Sequence, residues 1–141
     1  MRKSIYVPLI FLLLGLAAAS CSRKDDDELP ARTGDLQVFF KISDQFGLLG
    51  DTSNIPVLLS LYADTAHAKL VRSEAVTAVN HLTKTVTFED MEPTFFYLSI
   101  EINLPGLPPP CEDTRVFVQY NQLTLTDMIE MEVRAEEIRC R

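Results

Sequence analysis

Phe96-Tyr97-Leu98-Ser99-Ile100-Glu101-Ile102-Asn103-Leu104 is the stretch that decides the fold. Phe96, Leu98, Ile100, Ile102 and Leu104 take every second position, with polar or aromatic residues between them. A period of two places one set on one face of a strand and the other set on the opposite face. Pro105-Gly106 and Pro108-Pro109-Pro110 end the run, because proline has no N–H to donate to a ladder.

The same alternation recurs on both sides of this stretch. Leu36, Val38, Phe40 and Ile42 alternate with Gln37, Phe39 and Lys41, and the turn Asp44-Gln45-Phe46-Gly47 follows. Val57, Leu59 and Leu61 alternate with Leu58, Ser60 and Tyr62. Residues 75–82 read as a weaker, β-branched strand, and residues 83–89 place Val86 and Phe88 on one face. Val116, Val118 and Tyr120 restart the pattern; Leu125, Ile129, Met131 and Val133 continue it, with Asp127 interrupting the apolar face. Residues 64–72 and 135–139 are the two places where a short helical turn competes. About seven short strands separated by turn signals predict an all-β fold, a single antiparallel β-sandwich over residues 34–141.

The N-terminus is of a different kind. Arg2 and Lys3 precede an apolar run from Ile5 to Leu16, then the small residues Ala17 to Ser20, then Cys21. This is the order of a secretory signal, residues 1–20, and the apolar run is short of the roughly 20 residues of a membrane span. No later segment approaches that length, so the mature chain is expected not to span a membrane. Ala18-Ala19-Ser20-Cys21 resembles the lipobox of bacterial lipoproteins, although leucine is commoner at the position of Ala18. The resemblance implies that Cys21 is acylated and anchors the chain to a membrane. Several acyl chains, at about 0.8 kcal/mol per buried methylene, hold a protein where one chain would not.

Residues 21–33 are expected to be a tether, because Ser22 to Glu28 within them is charged and small and has no apolar surface to bury. Within them Lys24, Asp25, Asp26, Asp27 and Glu28 resemble the export signal of Bacteroidota surface lipoproteins. That implies an outer-membrane protein facing the cell exterior; a plain spacer on the periplasmic side is the alternative.

Two of the 13 basic residues and none of the 20 acidic ones lie in the signal, so the mature chain is more acidic than the formal charge of −7. Such a chain repels phosphate backbones, which argues against nucleic acid as a partner. Of three cysteines, Cys21 is assigned to lipid. Cys111 and Cys140 remain, an even pair in an oxidising compartment. A disulfide between them would close a loop of about 30 residues, worth roughly 3–4 kcal/mol in the chain-entropy model. Two free thiols or a pair of metal ligands are the alternatives, and with no histidine nearby the pair makes a poor zinc site.

Residues 34–102 carry a resemblance. Asp44 and Gly47 form an Asp-x-x-Gly turn after the first strand, and Leu61-Tyr62 ends the next. Val86 and Phe88 lead through Met91 and Pro93 to the aromatic strand at Tyr97. This resembles the transthyretin-like, carboxypeptidase-regulatory β-sandwiches, and an immunoglobulin-like layout is the near relation. The resemblance implies no catalytic residues. The glycines that usually open the second strand and precede the aromatic strand are missing, with Pro93-Thr94 at the latter place.

Catalytic signatures are hard to find. There is no phosphate loop, no nucleophile elbow and no zinc helix. His67 and His81 fall on separate elements and are expected at the surface, and no cofactor or metal is expected. Glu101, Glu130 and Glu132 take outward phases, as a solvated strand face would. Phe39, Phe95 and Tyr97 are outward aromatics and are the candidates for a binding face. Asp64-Thr65-Ala66 resembles a bacterial O-glycosylation sequon, which makes Thr65 a candidate site. The expected function is a non-enzymatic binding or assembly module of the cell envelope, with an envelope protein or a glycan as partner. A small accessory glycan-active enzyme and a purely structural component are the alternatives.

Overall fold

A computed structural model describes residues 32–141, with the side chains of residues 112 and 113 excepted. The signal peptide, Cys21 and the stretch from Lys24 to Glu28 lie outside the described residues. Eight strands follow in order: β1 (Gly34–Ser43), β2 (Ile55–Tyr62), β3 (Leu70–Ala78), β4 (Thr83–Met91), β5 (Phe95–Ile102), β6 (Cys111–Phe117), β7 (Leu123–Val133) and β8 (Ile138–Cys140). They form two four-stranded sheets, β4-β1-β7-β8 and β3-β2-β5-β6. The all-β sandwich expected from the alternation is the architecture observed.

The inward phase of each strand makes the core. Leu36, Val38, Phe40 and Ile42 of β1 are fully buried and form one cluster with their sheet neighbour Met131 of β7 and with Leu59 and Leu61 of β2 and Phe96, Leu98 and Ile100 of β5 from the other sheet. Removing these side chains from water at about 25 cal/mol per Å² is the main favourable term that holds the two sheets together.

Four details depart from the sequence expectation. The described residues hold eight strands, one more than the seven or so expected, because a turn after Val133 lets Ile138–Cys140 pair back onto Met131–Val133 where a helical turn had competed. Residues 64–72 are not helical either, since β3 already begins at Leu70 and pairs with Tyr62. β3 ends at Ala78, and Val79 to Leu82 form the turn into β4 instead of extending a strand. Finally, not every pair is antiparallel: β1 and β7, the two central strands of their sheet, run parallel. Parallel neighbours need a long connection, and here almost the whole domain lies between them.

The β1–β7 ladder contains a bulge. Gln37 faces Leu125 and Phe39 faces Met128, so β7 carries one extra residue, and the Phe39 N–H donates instead to the Thr126 hydroxyl at 3.2 Å. This extra residue is what Asp127 marks in the sequence. At the start of β1, Gly34 lies so close to the β6–β7 turn that a Cβ there would collide with the Gln119 carbonyl. Asn121, with φ of 54°, takes the left-handed position of that turn, and its N–H donates to Thr33 O at 2.9 Å.

Candidate interaction surface

The outer face of the β3-β2-β5-β6 sheet has an aromatic end. Register sets Phe95 opposite Phe117 and Tyr97 opposite Arg115, all in the outward phase, and Tyr97 is also opposite Tyr62 of β2. The Phe95 and Phe117 rings are tilted with centroids 4.6 Å apart, yet each side chain keeps 44% of its surface exposed. The Arg115 guanidinium lies 3.7 Å from the Phe95 ring centroid, a cation–π contact. His67 stacks on Tyr62 at 4.8 Å.

Phe117 also borders a lateral cleft. β8 pairs with only three residues of β7, and Arg141 exchanges backbone hydrogen bonds with Glu130 beyond them. The rest of that β7 edge, residues 124–127, faces residues 114–117 of β6 across a cleft of about 240 Å³. Leu123, Leu125, Phe117 and Tyr120 are all more than two-fifths exposed, so this side of the sandwich has both apolar surface and open strand edges.

The predicted binding-face residues divide between two faces. Phe95 and Tyr97 belong to the aromatic end. Phe39 does not: it lies on the outer face of the other sheet, half-buried between Thr85 of β4 and Met128 of β7. Alternation assigns a residue to an outward face but not to a sheet, and that is why the three were grouped. Arg115, Phe117 and Tyr62 were missed. The outward phase of Arg115 and Phe117 was readable from Val116 and Val118, but their position opposite Tyr97 and Phe95 needs the register.

The remaining candidates fall elsewhere. Cys111 and Cys140 are disulfide-bonded, with Cα atoms 5.9 Å apart. The bond joins the edge strand β6 of one sheet to the edge strand β8 of the other. Thr65 is exposed, and the capping of its turn is done by Asp64. Glu130 accepts from Lys41 at 3.0 Å and from the Ser43 hydroxyl at 2.9 Å. The Lys41 hydrogen bond, with that from Ser43, holds the Glu130 carboxyl below its usual range. Glu132 pairs with Arg134 and Arg141. His67 and His81 both occupy turns with positive φ. Among the described residues no three metal-ligating side chains come together.

No family model and no curated protein matches the sequence. Among solved structures, the fold is similar to that of Lip from Serratia marcescens, a membrane-bound component of the Type VI secretion system. The TM-score is 0.51 at 10% identity, over 77% of this chain and 97% of that one. The type VI lipoprotein TssJ1 from Pseudomonas aeruginosa gives a TM-score of 0.36 at 8% identity, with the same two coverages.

Proposed function

We propose that this chain is a non-enzymatic lipoprotein of the cell envelope, held to a membrane by acylated Cys21, whose sandwich docks an envelope protein through the Phe95–Phe117 end. The observation that carries the proposal is that exposed aromatic pair with Arg115 stacked on it. Aromatic residues and arginine are the side chains that dominate protein-binding hot spots. The lipobox at Cys21 supplies the anchor, and the fold is shared with a solved membrane-bound secretion component. The transthyretin-like resemblance of residues 34–102, which implies no catalytic residues, points the same way.

The address follows from the tether. Lys24 and the acidic run to Glu28 would carry the protein to the outer membrane, facing the exterior, and Thr65 would be open to O-glycosylation there. A glycan in place of the protein partner would be held by Tyr62 and Tyr97, which the register sets opposite each other on the outward face.

Photocrosslinking in intact cells tests the docking surface. A crosslinker at position 117 is expected to give a discrete protein adduct, and one at position 87, on the other sheet, none. Phe95→Ala should reduce the adduct at least several-fold. Identical behaviour at the two positions would end the docking proposal. In the same cells Cys21→Ser should move the protein out of the membrane fraction; unchanged membrane fractionation would remove the anchor.

A further inference from the structure

β3 is the edge strand of its sheet, and it has an unusual exposure for a nine-residue strand. From Leu70 to Ala75 every residue is exposed, on both faces, and only Ala78 is buried. The inward-phase residues Arg72 and Glu74 sit opposite the core residues Leu61 and Leu59 of β2, so they should point into the sandwich. Both are exposed nonetheless. Among the described residues neither forms an ion pair. Leu70 and Val71 are 54% and 42% exposed. An exposed, partly apolar edge of this kind is a template for another strand.

The side-chain pattern says which strand. Two copies of an edge strand that pair about a two-fold axis normal to the sheet must run antiparallel, and directly opposed residues must point to the same face. Since neighbours along a strand point to opposite faces, the axis must pass through a residue position and not between two. Only a few registers remain. An axis at residue 72 sets Arg72 against Arg72, and one at residue 74 sets Glu74 against Glu74; like charges directly opposite are unfavourable. An axis at Ser73 sets Arg72 against Glu74 of the second copy and Glu74 against its Arg72. Outside these residues the strand is irregular: Arg72 pairs with Leu61 but Leu70 with Tyr62, so β3 carries an extra residue there and the matched centre of the dimer is residues 72–74. The central pairs are then matched: two ion pairs on one face, and Ser73 against Ser73 on the other.

We propose that the protein forms a two-fold dimer through antiparallel β3–β3 pairing centred on Ser73, which joins the two β3-β2-β5-β6 sheets into one eight-stranded sheet. The partner is a second copy of this chain. The aromatic end lies on β2, β5 and β6 and the lateral cleft between β6 and β7 of the other sheet, so both stay open in the dimer.

Charge exchange tests the register. Full-length protein in detergent is followed by sedimentation velocity from about 1 to 100 μM, the range of moderate affinities. The natural chain is expected to sediment as a dimer at the upper end. Glu74→Arg alone and Arg72→Glu alone should each weaken association by roughly tenfold or more, because each sets like charges opposite. The double exchange Arg72→Glu/Glu74→Arg restores both ion pairs and should restore the dimer. Both positions are exposed, so near-UV circular dichroism should be unchanged throughout. A monomer at every concentration overturns the proposal, as it would if a foreign strand used this edge. So does a dimer insensitive to the single reversals, or a double exchange that fails to rescue.

Discussion

The loop after β1 and the loop after β2 are two copies of one device in different surroundings. In the first, Asp44 Oδ1 accepts from the N–H groups of Phe46 and Leu48 at 3.2 and 3.1 Å, and Oδ2 accepts from Leu49 at 2.8 Å. In the second, Asp64 Oδ1 accepts from Ala66 and Ala68 at 3.0 and 3.1 Å, and Oδ2 from Lys69 at 2.8 Å. The offsets are the same, and the residue three beyond each aspartate is left-handed: Gly47 at φ 67° and His67 at φ 52°. What differs is where the loop goes. Asp44 is only 4% exposed, and its loop delivers Leu49 into the core. Asn80, in the β3–β4 turn, brackets its backbone with two hydrogen bonds of 2.8 and 3.0 Å. The Asp64 loop is mostly exposed and leads only to the exposed half of β3. Identical local hydrogen bonds should therefore contribute very different stability, because water replaces a lost partner in one loop and cannot in the other.

The largest expected effect follows directly. Asp44→Ala leaves buried N–H groups, that of Leu49 above all, without an acceptor, and should cost about 2–4 kcal/mol in urea unfolding. Asp64→Ala should move the midpoint much less. Equal losses would mean that burial is not what separates the two loops.

Acid sharpens the contrast. Burial alone would push the Asp44 carboxyl up, but hydrogen bonds from Leu49, Leu48, Phe46 and Gly47 outweigh it and hold the group below the ordinary aspartate value. The Ala68 N–H is the largest influence on Asp64; with Lys69, Ala66 and the charge of His67 it overcomes a smaller burial effect, again lowering the value. A carboxyl lowered by folding contributes stability that is complete above its unfolded value, about 3.9, and is lost as pH falls through the lower folded value. Stability should therefore fall below about pH 4. Asp44→Asn should flatten that acid limb more than Asp64→Asn does, in thermal melts from about pH 2 to 6. The reverse order would contradict the assignment of the stronger coupling to the buried loop.

The smallest effects concern the left-handed position. Nothing lies within 4 Å of a Cβ at Gly47, so Gly47→Ala meets only the backbone penalty of a positive φ and should cost about 1 kcal/mol. His67→Gly removes the same penalty from the other loop but also the stack on Tyr62. The two changes should nearly cancel, leaving stability within about 0.5 kcal/mol of the natural chain. A clear gain would show that the Tyr62–His67 contact contributes little.

The first of these loops was visible in the sequence as Asp-x-x-Gly; the second was not, because histidine stands where glycine advertises the turn. The same limit recurs across the molecule. The inward faces of β1, β2 and β5 were legible, since Leu36 to Ile42, Val57 to Leu61 and Phe96 to Ile102 alternate without a break. β3 was mislaid because its inward positions hold Arg72 and Glu74, which break the apolar alternation and are exposed in the structure. β8 is too short to show a period at all. Of the aromatic end, Phe95 and Tyr97 were legible as outward residues. Phe39 was grouped with them although it belongs to the other sheet, and Arg115 and Phe117 were overlooked.

Strand phase is a property of neighbours along the chain, with a period of two, and so the sequence alone determined the all-β class, the core side chains and the places where prolines and turns interrupt them. Only the tertiary structure decided which sheet each strand joins, that β1 and β7 run parallel, that Cys111 and Cys140 tie two sheets together, and that Phe95 meets Phe117. Those choices rest on hydrogen bonds and packing between residues far apart in the chain, and a local period carries no information about the partner it will meet.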